Sequence, residues 1–179
     1  NIDNKKMSKS KGNFFTVRDI LNEYSGQVIR FFMLNAHYRS PLNFSRDLLE
    51  SASHSLERIL TSVDSLEHLL KSDTLGDNDY SDQEDTVLKE VKILKGKFDA
   101  AMDDDFNTAD AIAAIFELVR LANVHCKGQS SRKFVMAMKN IIIELCDILG
   151  IEANIEEEIL PEEIERLIDE RNNARKNKD

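Results

Sequence analysis

A mainly α-helical protein is predicted from the sequence by three observations. Glycine and proline number only six and two in 179 residues, so the residues that interrupt helices are scarce. The composition is rich in Leu, Ile, Ala, Glu and Lys, which favours helices over a strand-rich sandwich. Leu49, Ala52, Leu56, Ile59, Val63, Leu66 and Leu70 follow one another at alternating spacings of 3 and 4 residues, the repeat that keeps one face of a helix apolar.

Thr16 to Tyr24 carries Val17, Ile20 and Leu21 at helical spacing. Ser25 and Gly26 interrupt it before a second segment with Val28, Phe31, Phe32 and Leu34, so two short helices are expected. Pro41 imposes an extended or turn conformation, and Leu42 and Phe44 alternate with Asn43 as in a short strand. Ser45 is placed to cap the long helix that follows, with Asp47 in its first turn, where the helix dipole favours a negative charge. The seam from Leu49 to Leu70 faces a partner for about six turns, as in a bundle or coiled coil. It reads first as scaffold and secondarily as a dimer zipper. Ser72 to Asp85, with Gly76, Asn78 and six acidic residues, reads as a solvated connection of low order.

Val87, Val91, Leu94, Phe98 and Ala101 mark the next helix, ending near Met102. Asn107 or Thr108 caps a further one, in which Ala109 and Ala111 to Phe116, with Leu118, Val119, Leu121 and Ala122, leave almost no polar face, so it belongs at the centre. Lys127-Gly128-Gln129 closes it. Ser130 or Ser131 caps a helix with Phe134, Met138, Ile141, Ile142, Leu145 and Leu149 inward, stopped by Gly150. Leu160-Pro161 opens a last helix, with Glu162 and Glu163 in its first turn and a basic end at Arg171, Arg175, Lys176 and Lys178.

The net charge of −9 hides segregation. Residues 1–18 carry five basic side chains against one acidic, residues 73–110 twelve acidic against four basic, and residues 151–170 nine against one. A polyanion would dock toward the basic end. No apolar run is long enough to span a bilayer, and the chain reads as cytoplasmic. Cys126 and Cys146 fit no metal-ligand spacing and read as core residues, so no metal site is expected within the chain. The four scattered histidines are given no role. The run Asp103-Asp104-Asp105 invites a hard cation, but acids ahead of a helix are accounted for by its positive end and by solvation.

Lys6-Met7-Ser8-Lys9-Ser10, continued by Lys11-Gly12-Asn13, sets two lysines three residues apart on small polar residues next to a glycine. Such a stretch brings mobile ammonium groups to phosphate oxygens while the backbone stays free to open and close. It resembles the KMSKS signature of class I aminoacyl-tRNA synthetases at all five positions. Phe14 to Leu21, His37-Tyr38-Arg39-Ser40-Pro41-Leu42-Asn43-Phe44-Ser45 and Met102-Asp103-Asp104-Asp105-Phe106-Asn107-Thr108 resemble blocks of cysteinyl-tRNA synthetases, in their order and approximate spacing. The resemblance is good over residues 1 to about 150 and weak in the acidic tail.

The resemblance implies an enzyme that activates L-cysteine with ATP and Mg and transfers it to tRNA(Cys). This chain would correspond to its C-terminal portion from the KMSKS loop onward, inactive on its own and a monomer. Residues 1–45 would be the KMSKS loop and stem-contact region. Residues 46–150 would be an antiparallel helical bundle of the DALR, anticodon-binding type that docks tRNA, and 151–179 the start of an anticodon-recognition region of low order. Lys9 and then Lys6 would stabilise the triphosphate as pyrophosphate leaves, with Ser8 and Ser10 contributing to the ATP-binding loop. Tyr38 and Arg39, in a loop before Pro41, are the RNA-facing candidates. The zinc that selects the cysteine thiolate in this family would be held by residues outside the chain, and losing it removes specificity as well as turnover. The competing readings are a stand-alone tRNA-binding module, another class I synthetase and a helical interaction scaffold.

Overall fold

The computed structural model describes residues 16–153 and Arg171. Its order of elements is α1 (Val17–Leu21), α2 (Gly26–Leu34), α3 (Arg46–Lys71), α4 (Asp82–Asp103), α5 (Thr108–His125) and α6 (Arg132–Ile148). The sequence-predicted helix after Leu160 lies outside the described residues except for Arg171; of residues 151–179, expected to be of low order, Ile151 and Ala153 are described and buried in the core, and the rest apart from Glu152 and Arg171 lie outside the described residues.

Side-chain caps begin all six helices, with Ser45, Asn107 and Ser131 among the capping residues that the sequence offers. Thr16 and Asp19 form a reciprocal capping box at α1, the Thr16 N–H donating to Asp19 Oδ2 at 2.7 Å. That bond, with one from the Thr16 hydroxyl, holds the Asp19 carboxyl below its ordinary range. Ser25, Ser45, Ser81, Asn107 and Ser131 cap the other five, each satisfying a backbone N–H left open at a helix start. At the end of α6 the N–H of Gly150 donates to Asp147 O and that of Ile151 to Cys146 O, both at 2.9 Å, which is a Schellman closure. Gly150 has φ +67°, and a Cβ there would stand 2.1 Å from the Arg30 guanidinium. Backbone strain and close approach both ask for glycine.

The apolar seam of α3 turns inward. Leu49, Ala52, Leu56, Ile59, Val63 and Leu66 are buried and Leu70 packs partly buried, against α2, α5 and α6 of the same chain. The seam is therefore occupied within the bundle and is not left for a zipper. Helix α5 touches α2, α3, α4 and α6, and the short connections on either side of it return the chain antiparallel. It keeps an exposed stripe at Asp110, Ala113, Glu117 and Arg120, more polar than its composition suggested. Phe31, Phe98, Phe134 and Met138 are among the largest fully buried side chains, so α2 shares one core with the bundle.

Three local expectations change. Of Leu42 to Phe44 only Phe44 makes a bridge, and the Ser45 cap of α3 follows it directly. Helix α4 starts at Asp82, inside the expected connection, and the rest of that connection is tied down. Leu75 is buried, the Gly76 N–H donates to Ser130 O at 3.1 Å, and the Arg132 N–H donates to Gly76 O at 2.9 Å. Asp103 ends α4 and Asp104 caps it, so these two acids sit at a helix's negative end rather than ahead of a positive one.

Glu84 closes two helix starts at once. Its Oε2 accepts from the Ser81 N–H and its Oε1 from the Ser131 N–H, both at 2.8 Å. Burial works to raise this carboxyl, but the N–H donors of Ser81 and Ser131 outweigh it and hold it below its ordinary value near 4.5. A depressed folded-state value stabilises the fold above the ordinary value, and the contribution is lost as pH falls through the lower one. Glu84→Gln is expected to cost about 1–3 kcal/mol at about pH 7 and distinctly less at about pH 3. Urea denaturation at the two pH values checks this, and an equal loss at both would refute it.

Candidate nucleic-acid interface

The sequence-predicted phosphate-gripping residues Lys6, Ser8, Lys9 and Ser10 lie outside the described residues. They precede α1, which joins the bundle through Ile20 on the core and through the Arg46 guanidinium paired with the Glu23 carboxylate. All of α1's residues are at least partly exposed.

The RNA-facing candidates Tyr38 and Arg39 are brought together in the loop between α2 and α3. Asn35 ends α2, its Nδ2 donating to Phe31 O at 2.8 Å, and the Ser40 N–H donates to His37 O at 2.8 Å to form the turn. The Thr108 hydroxyl donates to Leu34 O at 2.7 Å, which fastens the start of α5 to the end of α2. The corner residues Asp105 and Phe106 therefore come alongside the loop.

Asp105 organises the cluster. The Tyr38 hydroxyl donates to its Oδ1 at 2.8 Å, Arg39 Nε lies 3.0 Å from Oδ2, and His37 Nε2 lies 3.9 Å from Oδ2. Arg39 Nε also donates to the Tyr38 hydroxyl at 2.7 Å, and the guanidinium lies 5.3 Å from the Tyr38 ring centre. His37 stacks on Tyr38 at 5.0 Å and 21°. The bond to Asp105 pushes the Tyr38 phenol above its ordinary value and the bond from Arg39 works against it, so Tyr38 is a neutral phenol near pH 7. The Arg39 charge is largely spent on Asp105, which leaves the Tyr38 ring as the group best placed for stacking.

Asp105 and Phe106 have φ of 54° and 55°. A left-handed conformation costs a phenylalanine about 1–3 kcal/mol, yet Phe106 is 64% exposed and recovers little of that by burial. Phe106 and Tyr38, the latter 61% exposed, flank a groove of about 640 Å³ with Met33, Leu42 and Thr108. The exposed Phe106 ring offers a flat apolar face to an unstacked base, and the Tyr38 ring, already stacked with His37, is placed to extend that stack. Asp105 and Phe106 are members of this site that no local sequence pattern marks. The other paired arginines and rings serve the fold: Arg46 holds Glu23, and Phe44 packs edge-on against Phe32 at 5.9 Å.

Among the described residues, no three His, Cys, Asp or Glu side chains come together to hold a metal. Burial pushes the thiols of Cys126 and Cys146 up to about 12, which does not suit a zinc ligand. No helix among the described residues is long and apolar enough to cross a membrane.

Residues 1–54 match the tRNA synthetases class I (C) catalytic domain family, and residues 97–154 match the DALR domain family. The fold resembles part of the LeuRS in the crystal structure of the LeuRS–tRNA–LeuAMS ternary complex of Agrobacterium radiobacter K84. That likeness has a TM-score of 0.68 at 22% identity and covers 85% of this chain and 20% of that one. The helical architecture and the two domain matches make this a class I aminoacyl-tRNA synthetase chain. It belongs to the cysteine–tRNA ligase family. It is 54% identical to the cysteine–tRNA ligase of Lachnospira eligens over 99% of this chain, and 52% identical to that of Lachnoclostridium phytofermentans over 100%. The chain spans 37% and 39% of the length of those two relatives.

Proposed function

We propose that this chain is the part of a cysteine–tRNA ligase that grips the triphosphate of ATP and docks tRNA(Cys). The observation that carries the reading is similarity to cysteine–tRNA ligases along nearly the whole of this chain combined with the intact Lys6-to-Ser10 motif. The parent would activate L-cysteine with ATP and Mg and transfer it to tRNA(Cys), in the cytoplasm and as a monomer. Residues 1–45 would carry the loop and stem-contact region, 46–150 the tRNA-docking bundle, and 151–179 the start of anticodon recognition. In the first reaction the cysteine carboxylate attacks the α-phosphate and pyrophosphate departs. Lys9, with Lys6 beside it, would hold the negative charge that moves onto the leaving group. Ser8 and Ser10 would contact the nucleotide and shape the loop. The described cysteines do not fit a zinc site, so a thiolate-selecting zinc would depend on residues this chain does not contain.

Pyrophosphate exchange by a ligase carrying this chain at full family length tests the assignment, with cysteine expected to support exchange and other amino acids not. Exchange with another amino acid in place of cysteine would move the chain to a neighbouring class I synthetase. The compact bundle and its DALR match also favour a second reading, a tRNA-binding module that works without the rest of the ligase. Tight, specific binding of tRNA(Cys) by the isolated chain would support it. For the docking surface, Tyr38→Ala in the full-length ligase is expected to weaken tRNA binding about tenfold to a hundredfold by removing a stacking face. Fluorescence titration measures it, and unchanged affinity would remove Tyr38 from the interface.

A further inference from the structure

We infer that the groove between α3 and α5 is a second RNA contact, a site for phosphodiester oxygens centred on Arg58. This rests on the tRNA-docking reading above. Arg58 lies over the Phe116 ring at 5.1 Å, and Phe116 meets Phe31 edge-on at 6.4 Å. The partly buried Phe116, backed by the fully buried Phe31, thus holds the guanidinium in place at the surface. Among the described residues, Arg58 has neither an ion-pair nor a hydrogen-bond partner, so its charge and its donors are uncommitted. The groove that it overlooks holds about 650 Å³.

Two other polar groups of the groove keep free donors. The buried Ser62 hydroxyl donates to Asn123 Oδ1 at 3.0 Å, which fixes the amide and leaves its Nδ2 hydrogens for a ligand. Arg120 spends Nε on Glu117 at 2.9 Å and keeps its terminal nitrogens. The one acidic side chain lining the groove, Glu57, lies 3.7 Å from His54 Nδ1. Fixed donors with an uncommitted guanidinium suit phosphate oxygens, and the apolar floor suits a ribose.

Charge and distance favour an RNA backbone as the occupant. In a chain of net charge −9, Arg58 brings an uncommitted guanidinium to this groove, whose lining holds one acidic side chain, Glu57. From Thr108, beside the aromatic groove, to Asn123 is 15 residues of one helix, about 22 Å. A single folded RNA spans that distance easily.

The test is tRNA binding at several salt concentrations by a full-length ligase carrying this chain, with Arg58→Gln, Arg58→Lys and Tyr38→Ala compared with wild type. Arg58→Gln is expected to bind about tenfold more weakly and to lower the salt slope by about 0.7–0.9, one phosphate contact. Arg58→Lys should recover most of the slope, and pyrophosphate exchange should be unchanged in both. Wild-type affinity and slope in Arg58→Gln, with Tyr38→Ala still impaired, would overturn the groove and leave the docking reading standing. Wild-type protein that binds no tRNA would sink both. Oligoglutamate binding that Arg58→Gln abolishes while tRNA binding persists would assign the groove to an acidic protein partner and overturn the inference.

Discussion

Phe31→Ala is expected to destabilise the chain by about 3–5 kcal/mol, the range for emptying a fully buried aromatic position. Phe31 is completely buried, contacts Phe116 edge-on, and lies on the helix that leads into the Tyr38 loop. Losing its ring leaves a cavity between α2 and α5, next to the bond from Thr108 to Leu34 O that joins their ends. The midpoint of urea denaturation should fall accordingly, and Phe31→Leu, which fills most of the volume, should lose much less. A loss below about 1 kcal/mol for the alanine variant would mean that α2 is only loosely joined to the bundle.

Lys9→Ala, in a ligase carrying this chain at full family length, is expected to slow cysteine adenylate formation about 100- to 1000-fold, the effect of removing one positioned electrostatic donor. The loss should appear in the rate constant more than in the apparent ATP affinity, because the ammonium is needed most when charge moves to the departing pyrophosphate. Arginine at this position keeps the charge but not the compact ammonium, so Lys9→Arg should recover only part of the rate. Single-turnover kinetics separates the two effects. Undiminished adenylate formation by Lys9→Ala would remove the proposed role of the loop.

The features legible in the sequence were those written locally. The α3 seam, the Ser45 cap, the α6 cap at Ser130 or Ser131 and the glycine after α6 each follow from a period or a cap within a few residues. What stayed hidden depends on residues far apart in the chain. Asp105 reaches Tyr38 across 67 positions and Glu84 reaches Ser131 across 47, and no pattern in either segment announces its partner. Asp103-Asp104-Asp105 looked like one feature and splits into a helix end, a cap and a tertiary anchor. The left-handed turn at Phe106 could not be anticipated, since that backbone region favours Gly, Asn or Asp over a bulky ring. Lys6 and Lys9 were readable only through the motif that contains them. Arg58 was passed over because a lone arginine on a helix gives no sign that an aromatic ring lies beneath it.

The bond from the Thr108 hydroxyl to Leu34 O has a mechanical consequence. It couples the Tyr38 loop to the bundle, so that a displacement of one is transmitted to the other without slack. Any pivot between the segment before Ser25 and the bundle then turns at the break between α1 and α2, where the Glu23–Arg46 pair acts as an exposed latch. The lever arm of the protein would start at Gly26, twenty residues before the long helix that dominates its sequence pattern.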